Sequence, residues 1–387
     1  MSSEGWKTYK LEEVAEIVGG GTPSTTNSDY WEGDIPWLTP RDLSTTEERF
    51  VAHGERNISR LGLENSSAKL LPTGTVLLTT RAPIGYLAIA SNPMCTNQGF
   101  KSLIPNNQMV DSLFLYYLLK NNVEYLKSVG VGTTFAEISG GALRQIEFEF
   151  PEKSVQHQIA EILSGLDDKI ELNRRTNKTL EEIAHAIFKE WFVDFNYPGA
   201  TGELVDSPFG PIPKGWRVVS LTSELDIVYG KNLPTSKLIQ QGYPVFGGNG
   251  LIGYFDRYIY EEPQVIVACR GAASGKINQS LPKSFVTNNS LVFFIPDSSI
   301  ITFPFLKYFC LNTDFTSYVS GSAQPQLTIE ALDYANLLVP DIKLIAAFTK
   351  LVSIFESKMR ENDIESIILA TIRDELLGNL LIGDIDV

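Results

Sequence analysis

The apolar residues of this chain change period partway along, and then do so again. Short runs punctuated by Gly, Pro and Asn come first, such as GTVLLTT at 74–80, YLAIA at 86–90 and PQVIVA at 263–268, and they read as strands. One short helix, DSLFLYYLLKNNVEYLKS at 111–128, interrupts them. After Pro151 the spacing lengthens to Ile159, Leu163, Leu166, Ile170, then Leu180, Ile183 and Ile187; after Pro340 the matching series is Phe348, Val352, Phe355, Met359, then Leu369, Ile372 and Leu376. Steps alternating between four and three residues mark a narrow apolar seam, so the pattern predicts two long helices packed on each other as a coiled coil. Asn173 and Asn362 fall inside the seam at equivalent places. A buried polar residue there fixes register at some cost in stability; the alternative is that both are solvated.

The two changes of period belong to a repeat. Trp6, Leu11, Ile17, Val18 and Gly20 match Trp216, Leu221, Ile227, Val228 and Gly230, and FLYYL from Phe114 matches FLKYF from Phe305. Gly132 to Pro151 and Gly321 to Pro340 have equal length, and the spacing of 189 residues then holds for Ser164 and Ser353, Lys169 and Lys358, and Asn173 and Asn362. An internal repeat of this kind makes each unit a mixed, strand-rich domain followed by a long helix. The expected division is a first domain at 1–150, a helix and linker at 151–200, a second domain at 201–339 and a distal helix at 340–387. The segment NYPGATGELVDSPFGPIPKGW between the units is rich in Pro and Gly, as suits a connection.

Composition sharpens the picture at one point. The 387 residues carry 46 acids against 32 bases, a net charge of −14, which opposes binding to a polyanion over the surface as a whole. Yet residues 65–110 contain no acid and three bases, Lys69, Arg81 and Lys101, and residues 263–296 contain no acid and three bases, Arg270, Lys276 and Lys283. Within these windows Arg81 matches Arg270, and CTNQ at 95–98 matches VTNN at 286–289. Arg suits guanine and Asn or Gln suits adenine in the major groove, while Thr and Lys hold phosphates. The residues expected to contact DNA in the first unit are Thr80, Arg81, Asn97 and Gln98 inside its window, with Thr22, Arg41 and Thr133 outside it. In the second they are Lys231, Asn249, Arg270, Lys276, Asn288, Asn289 and Gln324. The plainer reading of the Asn and Gln residues is that they serve turns.

Several catalytic motifs are imitated and set aside. GGNGLIG at 247–253 has dinucleotide spacing, but a strand-like YFDRYIY follows it where a helix is needed, and Asn249-Gly250 is a hairpin signal. GAASGKI from Gly271 is one residue short of a phosphate loop. Asp341 with Glu356 and Lys358 imitates a metal-nuclease set, but Glu356, Lys358 and their equivalents Asp167 and Lys169 lie in the helical series and read as solvated flanks. Three histidines without ligand spacing argue against a metal site, and three scattered cysteines, Cys95, Cys269 and Cys310, read as buried thiols. No run of about 18 apolar residues predicts a membrane span, and the start MSSEGWKTYK carries no signal segment, so a cytoplasmic location is expected.

The opening WKTYKLEEVAEIVGGGTPS, the segment DIPWLTPRDL, the turn TTRAPIG and the block QHQIAEILSGLDDKIELNRRTNKTLEEIAHAIFKEWFVDF resemble the DNA-specificity subunits of Type I restriction-modification systems. The resemblance implies an α+β fold: two target-recognition domains, each reading half of a split DNA sequence, separated by two long antiparallel helices with an internal pseudo-two-fold repeat. It implies that seam residues Leu166, Ile170, Asn173, Leu180, Phe355, Met359, Asn362 and Leu369 set register and partner docking. Two modification subunits would bring S-adenosylmethionine, and restriction subunits would bring ATP-driven translocation with its Mg, leaving this chain a non-catalytic reader of double-stranded DNA. The competing expectation is a tandem scaffold that binds proteins and no DNA.

Overall fold

The computed structural model describes residues 5–385 except 45, 47, 133–135, 209 and 384. It divides into two compact units, one formed by Met1–Arg174 with Asp363–Val387 and the other by Arg175–Asn362.

In chain order the first unit contains β1 (Lys7–Lys10), α1 (Leu11–Val14), β2 (Ala15–Gly19), β3 (Trp31–Leu38), α2 (Pro40–Ser44), β4 (Phe50–Val51), β5 (Arg56–Ile58) and α3 (Arg60–Glu64). Then come β6 (Val76–Thr80), β7 (Ile84–Ala90), β8 (Cys95–Thr96), β9 (Lys101–Pro105), α4 (Ser112–Asn121), α5 (Val123–Val129), α6 (Gly140–Arg144) and β10 (Glu147–Phe150). The long helix α7 (Lys153–Phe192) begins here. Its strands form a five-stranded sheet in the order β2-β9-β6-β7-β4, a three-stranded sheet β5-β3-β8, and the pair β1-β10.

The second unit continues with β11 (Leu204–Val205) and β12 (Ile212–Pro213), then β13 (Arg217–Ser220), α8 (Leu221–Glu224), β14 (Asp226–Tyr229), β15 (Tyr243–Gly247), β16 (Gly250–Phe255) and β17 (Val265–Ala268). It ends with β18 (Ile277–Gln279), β19 (Phe285–Val286), β20 (Ser290–Phe294), α9 (Phe303–Leu311), α10 (Ile329–Leu332), β21 (Asn336–Val339) and the long helix α11 (Ile342–Leu381). Here the sheets are β14-β20-β17-β18, β16-β15-β19 and the pairs β13-β21 and β11-β12. One pairing plan recurs: Lys7 opposite Phe150 becomes Arg217 opposite Val339. Each smaller sheet also joins one antiparallel pair, β3·β5 or β15·β16, to one parallel pair, β3·β8 or β15·β19.

The strands expected from the apolar runs are present as β6, β7 and β17. Every side chain of β6 and β17 is buried, because each lies inside its sheet with strands on both edges and apolar layers on both faces. The helix expected over 111–128 is two helices. Asp111 caps the first through the Leu113 and Phe114 amides, and Asn122 interrupts it by donating its side-chain amide to the Leu118 carbonyl at 2.8 Å. Such a local hydrogen bond competes with helix propagation. Four further short helices between the strands of the first unit, α1, α2, α3 and α6, carry too few turns to show a period.

Each unit has its own core. In the first, Phe114, Tyr117 and Leu119 from α4 pack with Ile159 and Leu163 of α7 and with Leu377 and Leu380 of α11; in the second, Phe305 and Tyr308 of α9 pack with Ala184 and Phe188 of α7 and Phe348 and Val352 of α11. Ile170 is buried, and Leu166, Leu180, Phe355, Met359 and Leu369 are half-buried along the helix faces, as their spacing requires. Ile183 and Ile372 are exceptions. Both are exposed, and the inward positions belong instead to Ala184 in α7 and to Arg373, half-buried, in α11. Asn173 and Asn362 are buried rather than solvated. Asn173 donates to Glu365 at 2.9 Å and Ser366 at 3.2 Å within the first unit, and Asn362 donates to Asn177 at 2.8 Å within the second.

Asp167 is also buried, against its expected place on a solvated flank. Its carboxylate accepts from the Tyr117 hydroxyl at 2.8 Å and from Arg373 at 2.5 Å, with Lys120 at 3.9 Å. Arg49, equally buried, donates to Glu171 at 3.0 Å, to Tyr117 at 3.2 Å and to Asp168. Burial works against the Asp167 charge, but Lys120, Arg373 and Tyr117 outweigh it and hold the carboxyl below its usual range. Burial likewise opposes the Arg49 charge, but the Glu171 hydrogen bond and the neighbouring acids raise its pKa.

Two outcomes follow for stability. Arg49→Ala leaves Asp167 and Glu171 short of a buried partner and should cost about 3–5 kcal/mol, read from thermal unfolding of the full chain. A carboxyl with a depressed folded pKa stabilises the fold above its unfolded value, about 3.9, and that stability is lost as pH falls through the folded value. The unfolding midpoint should therefore drop on acidification below about pH 4, and Asp167→Asn should lower it at neutral pH while flattening that acid limb.

Candidate nucleic-acid interface

The buried strands β6 and β17 emerge at their C-terminal ends as Arg81 and Arg270, and the same staple holds both ends. In the first unit the Ile138 amide donates to the Thr80 carbonyl at 3.0 Å, while Val131 and Glu137 exchange amide-to-carbonyl bonds of 3.1 Å. In the second, the Leu327 amide donates to the Cys269 carbonyl at 3.1 Å, and Ser320 and Gln326 exchange bonds of 2.9 and 2.8 Å. Arg81 thereby lies opposite Glu137, and Arg270 opposite Gln326.

Turns from distant parts of each chain segment meet these ends. In the first unit the Thr80 amide donates to Gly99 at 2.8 Å, the Gly21 amide to Thr96 at 2.9 Å and the Asn97 amide to Leu38 at 2.8 Å. The Thr22 hydroxyl donates to the Gln98 side chain at 2.5 Å. In the second unit the Lys231 amide donates to Val286 at 2.9 Å, the Asn288 amide to Lys231 at 3.1 Å, the Cys269 amide to Asn289 at 2.8 Å and the Gly271 amide to Pro325 at 2.9 Å. Arg270, Gln324 and Gln326 line a groove of about 650 Å³.

Most of the expected contact residues are brought together in this way, and some are reassigned. Arg81 is half-buried and Gln98 exposed; Lys231, Arg270, Lys276, Asn289 and Gln324 are exposed, and Asn288 is half-buried. Asn249 is exposed on the β15–β16 hairpin, where Gly248 and Asn249 form the loop and Gly250 opens β16, one residue earlier than Asn249-Gly250 suggested. Asn97 is half-buried and its side chain accepts from the Gly99 amide at 2.9 Å, so it serves the turn itself. Arg41 stands apart on α2, exposed, 4.0 Å from Glu55. Thr80 is fully buried, so it presents nothing to a ligand; burial continues to the last residue of β6. Thr133 lies outside the described residues.

Two features were missed. Glu137 lies outside the acid-free window yet places a carboxylate 3.7 Å from Arg81 and 3.8 Å from Lys101. Its signal was present, because Gly132–Pro151 and Gly321–Pro340 align without gaps and pair Glu137 with Gln326. The other is the glycine behind each turn. A Cβ on Gly20 would sit 2.1 Å from the Asn97 carbonyl oxygen, and one on Gly230 would sit 2.3 Å from that of Thr287.

Elsewhere the chemistry is sparse. Cys95, Cys269 and Cys310 are free and buried, and burial pushes the Cys95 thiol up to about 12. Glu356 sits 3.5 Å from Lys307 of α9, tied into the second core rather than flanking a solvated helix. A cleft of about 590 Å³ beside β2 is lined by Glu12, Glu13 and Glu16, and its charge is wrong for phosphate. No helix among the described residues is long and apolar enough to cross a membrane.

Two copies of one mixed domain, each gathering polar turns at the end of a buried strand, define a tandem recognition protein. The model of the Type I restriction modification DNA specificity domain matches residues 3–182 and 213–372. The specificity subunit of the Type I restriction enzyme MjaIX from Methanocaldococcus jannaschii is 34% identical over 409 aligned positions, covering 99% of this chain and 94% of that one. The specificity subunit of the Type I restriction enzyme EcoprrI from Escherichia coli is 24% identical, covering 86% of this chain and 83% of its own. The crystal structure of a Type I restriction-modification S subunit from M. genitalium shares the fold, with a TM-score of 0.57 at 18% identity over 97% of this chain and 96% of that one. The chain thus belongs to the Type I restriction-modification DNA specificity family. DNA target recognition is the general role of these subunits, which are the non-catalytic members of their complexes.

The glycine contacts generate a direct test. Gly20→Ala and Gly230→Ala should each destabilise their unit by about 1–3 kcal/mol through overpacking against backbone. Gly19→Ala meets nothing within 4 Å and should stay within about 0.5 kcal/mol of the parent, all by denaturant titration.

Proposed function

We propose that this chain reads a bipartite duplex sequence, with the face around Arg81 on one half-site and the face around Arg270 on the other. The observation that supports this most strongly is the recurrence of one staple at both strand ends, with an arginine at the same place in each. On this reading the functional divisions are a first recognition domain at 1–150, a helix with linker at 151–200, a second recognition domain at 201–339 and a distal helix at 340–387. Helices α7 and α11 would pack antiparallel as a coiled coil, related by a pseudo-two-fold repeat. The matched contacts of Asn173 with Ser366 and Asn362 with Asn177 support that register, since the spacing of 189 residues exchanges the two pairs.

A helix of 40 residues spans about 60 Å at 1.5 Å per residue, which is long enough to hold two readers on separate turns of one duplex. The same helices would dock two modification subunits carrying S-adenosylmethionine, and restriction subunits would supply ATP-driven translocation with Mg. The chain itself would hold none of these groups.

A tandem protein-binding scaffold without DNA recognition is the second reading, favoured by the exposed residues Ile364, Ile367, Ile368 and Ile372 along one face of α11. The two separate in one experiment: co-express the chain with its modification subunit and map methylated adenines. Recognition predicts a split motif, with Arg81→Ala degrading one half-site and Arg270→Ala the other, each by about 1–3 kcal/mol of discrimination. A scaffold predicts no motif, and equal loss at both half-sites would mark a folding defect.

A further inference from the structure

The two recognition faces are built alike but are not charged alike. Glu137 sits between Arg81 and Lys101, at 3.7 and 3.8 Å, with its side chain 37% exposed. The matching position in the second unit is Gln326, which is exposed and neutral. Among the described residues no carboxylate lies within ion-pair distance of Arg270, Lys231 or Lys276. The staple hydrogen bonds are the same in both units, so the difference at this position lies in its side chain.

An ion pair this long and this exposed is weak and does not lock Arg81 away from a ligand. Its larger effect is on the local charge. One carboxylate cancels one base on the first face, whereas the second face keeps its bases uncancelled. Binding to phosphate regardless of sequence scales with the number of uncancelled bases, while base readout depends on orientation and on rejecting wrong hydrogen-bond partners. A carboxylate between two cations does both things for discrimination: it lowers attraction to any duplex and repels a phosphate set too close to Arg81.

The geometry points to Glu137 as a specificity-determining residue of the first half-site: it weakens sequence-independent attachment there and directs Arg81 toward base edges, while the second unit, with Gln326, is the electrostatic anchor. This rests on the two-face DNA reading above. It assigns the halves different work. The second unit holds the duplex, and the first checks it.

The test uses the full chain with its modification subunit, a random-sequence duplex, and the mapped target with one half-site scrambled at a time, titrated from low to moderate salt. Glu137→Gln should tighten random-duplex binding about three- to tenfold at low salt, steepen the salt slope by about 0.9, and reduce discrimination at the first half-site alone. Gln326→Glu should do the reverse, weakening random-duplex binding and making the salt slope shallower. An unchanged slope in Glu137→Gln, with the parent still binding its target in a salt-dependent way, overturns the assignment of Glu137 alone. A parent that binds no duplex overturns the DNA reading beneath it. A loss of discrimination at both half-sites without a change in slope means that Glu137 acts only through folding, and it also overturns the proposal.

Discussion

Burial of β6 and β17 along their whole lengths is the constraint on which the rest depends. A strand covered on both faces has no side chain to offer a ligand, so any polar group such a strand presents must lie where it leaves the sheet. An arginine stands just past that end in both units, Arg81 directly after Thr80 and Arg270 two residues after Ala268. The carbonyl of the residue before it, Thr80 or Cys269, accepts from the amide of Ile138 or Leu327 arriving from a distant loop, and its neighbourhood is set by the turns that pack against Gly20 or Gly230. The sheet thus sets the position of a few polar groups on the turns around its strand ends, a common division of labour between scaffold and loop.

The helices carry a second constraint, of a different kind. Their apolar seams admit Asn173 and Asn362, each buried and each satisfied by a partner on the other helix. Buried amides of this sort cost stability unless paired, so they favour one register over neighbouring ones. In the first unit the Arg49, Asp167 and Arg373 cluster adds charge to that register, and it ties a recognition-domain residue, Arg49, to α7. The second unit makes the corresponding join more simply, with Lys307 of α9 between Glu181 and Glu356.

Much of this was legible in the sequence because repetition amplified weak signals. A single Arg in an acid-free segment says little, but the matched windows pointed to Arg81 and Arg270, which stand beside equivalent staples in the two units. Long helices were legible because period persists over many turns. What was not legible depends on contacts between residues far apart in the chain. Ile183 and Ile372 fit a seam by spacing but turn outward once Ala184 and Arg373 take the inward positions. Asp167 looked solvated because its partners, Arg49, Tyr117 and Arg373, come from three other segments. The acid-free window was itself a one-dimensional description, and Glu137 entered it through space. Thr80 looked available because an apolar run does not announce where burial stops.

The proposed function holds that two equivalent readers sit at a distance set by the helices. Inserting four helix-forming residues into α7 and α11 at equivalent positions, then mapping methylated adenines in cells that also express the modification subunit, tests it most directly. An insertion of that length adds about 6 Å, close to two base-pair steps. The account predicts unchanged half-sites separated by a gap about two base pairs longer. The original gap, with both half-sites intact, would contradict it.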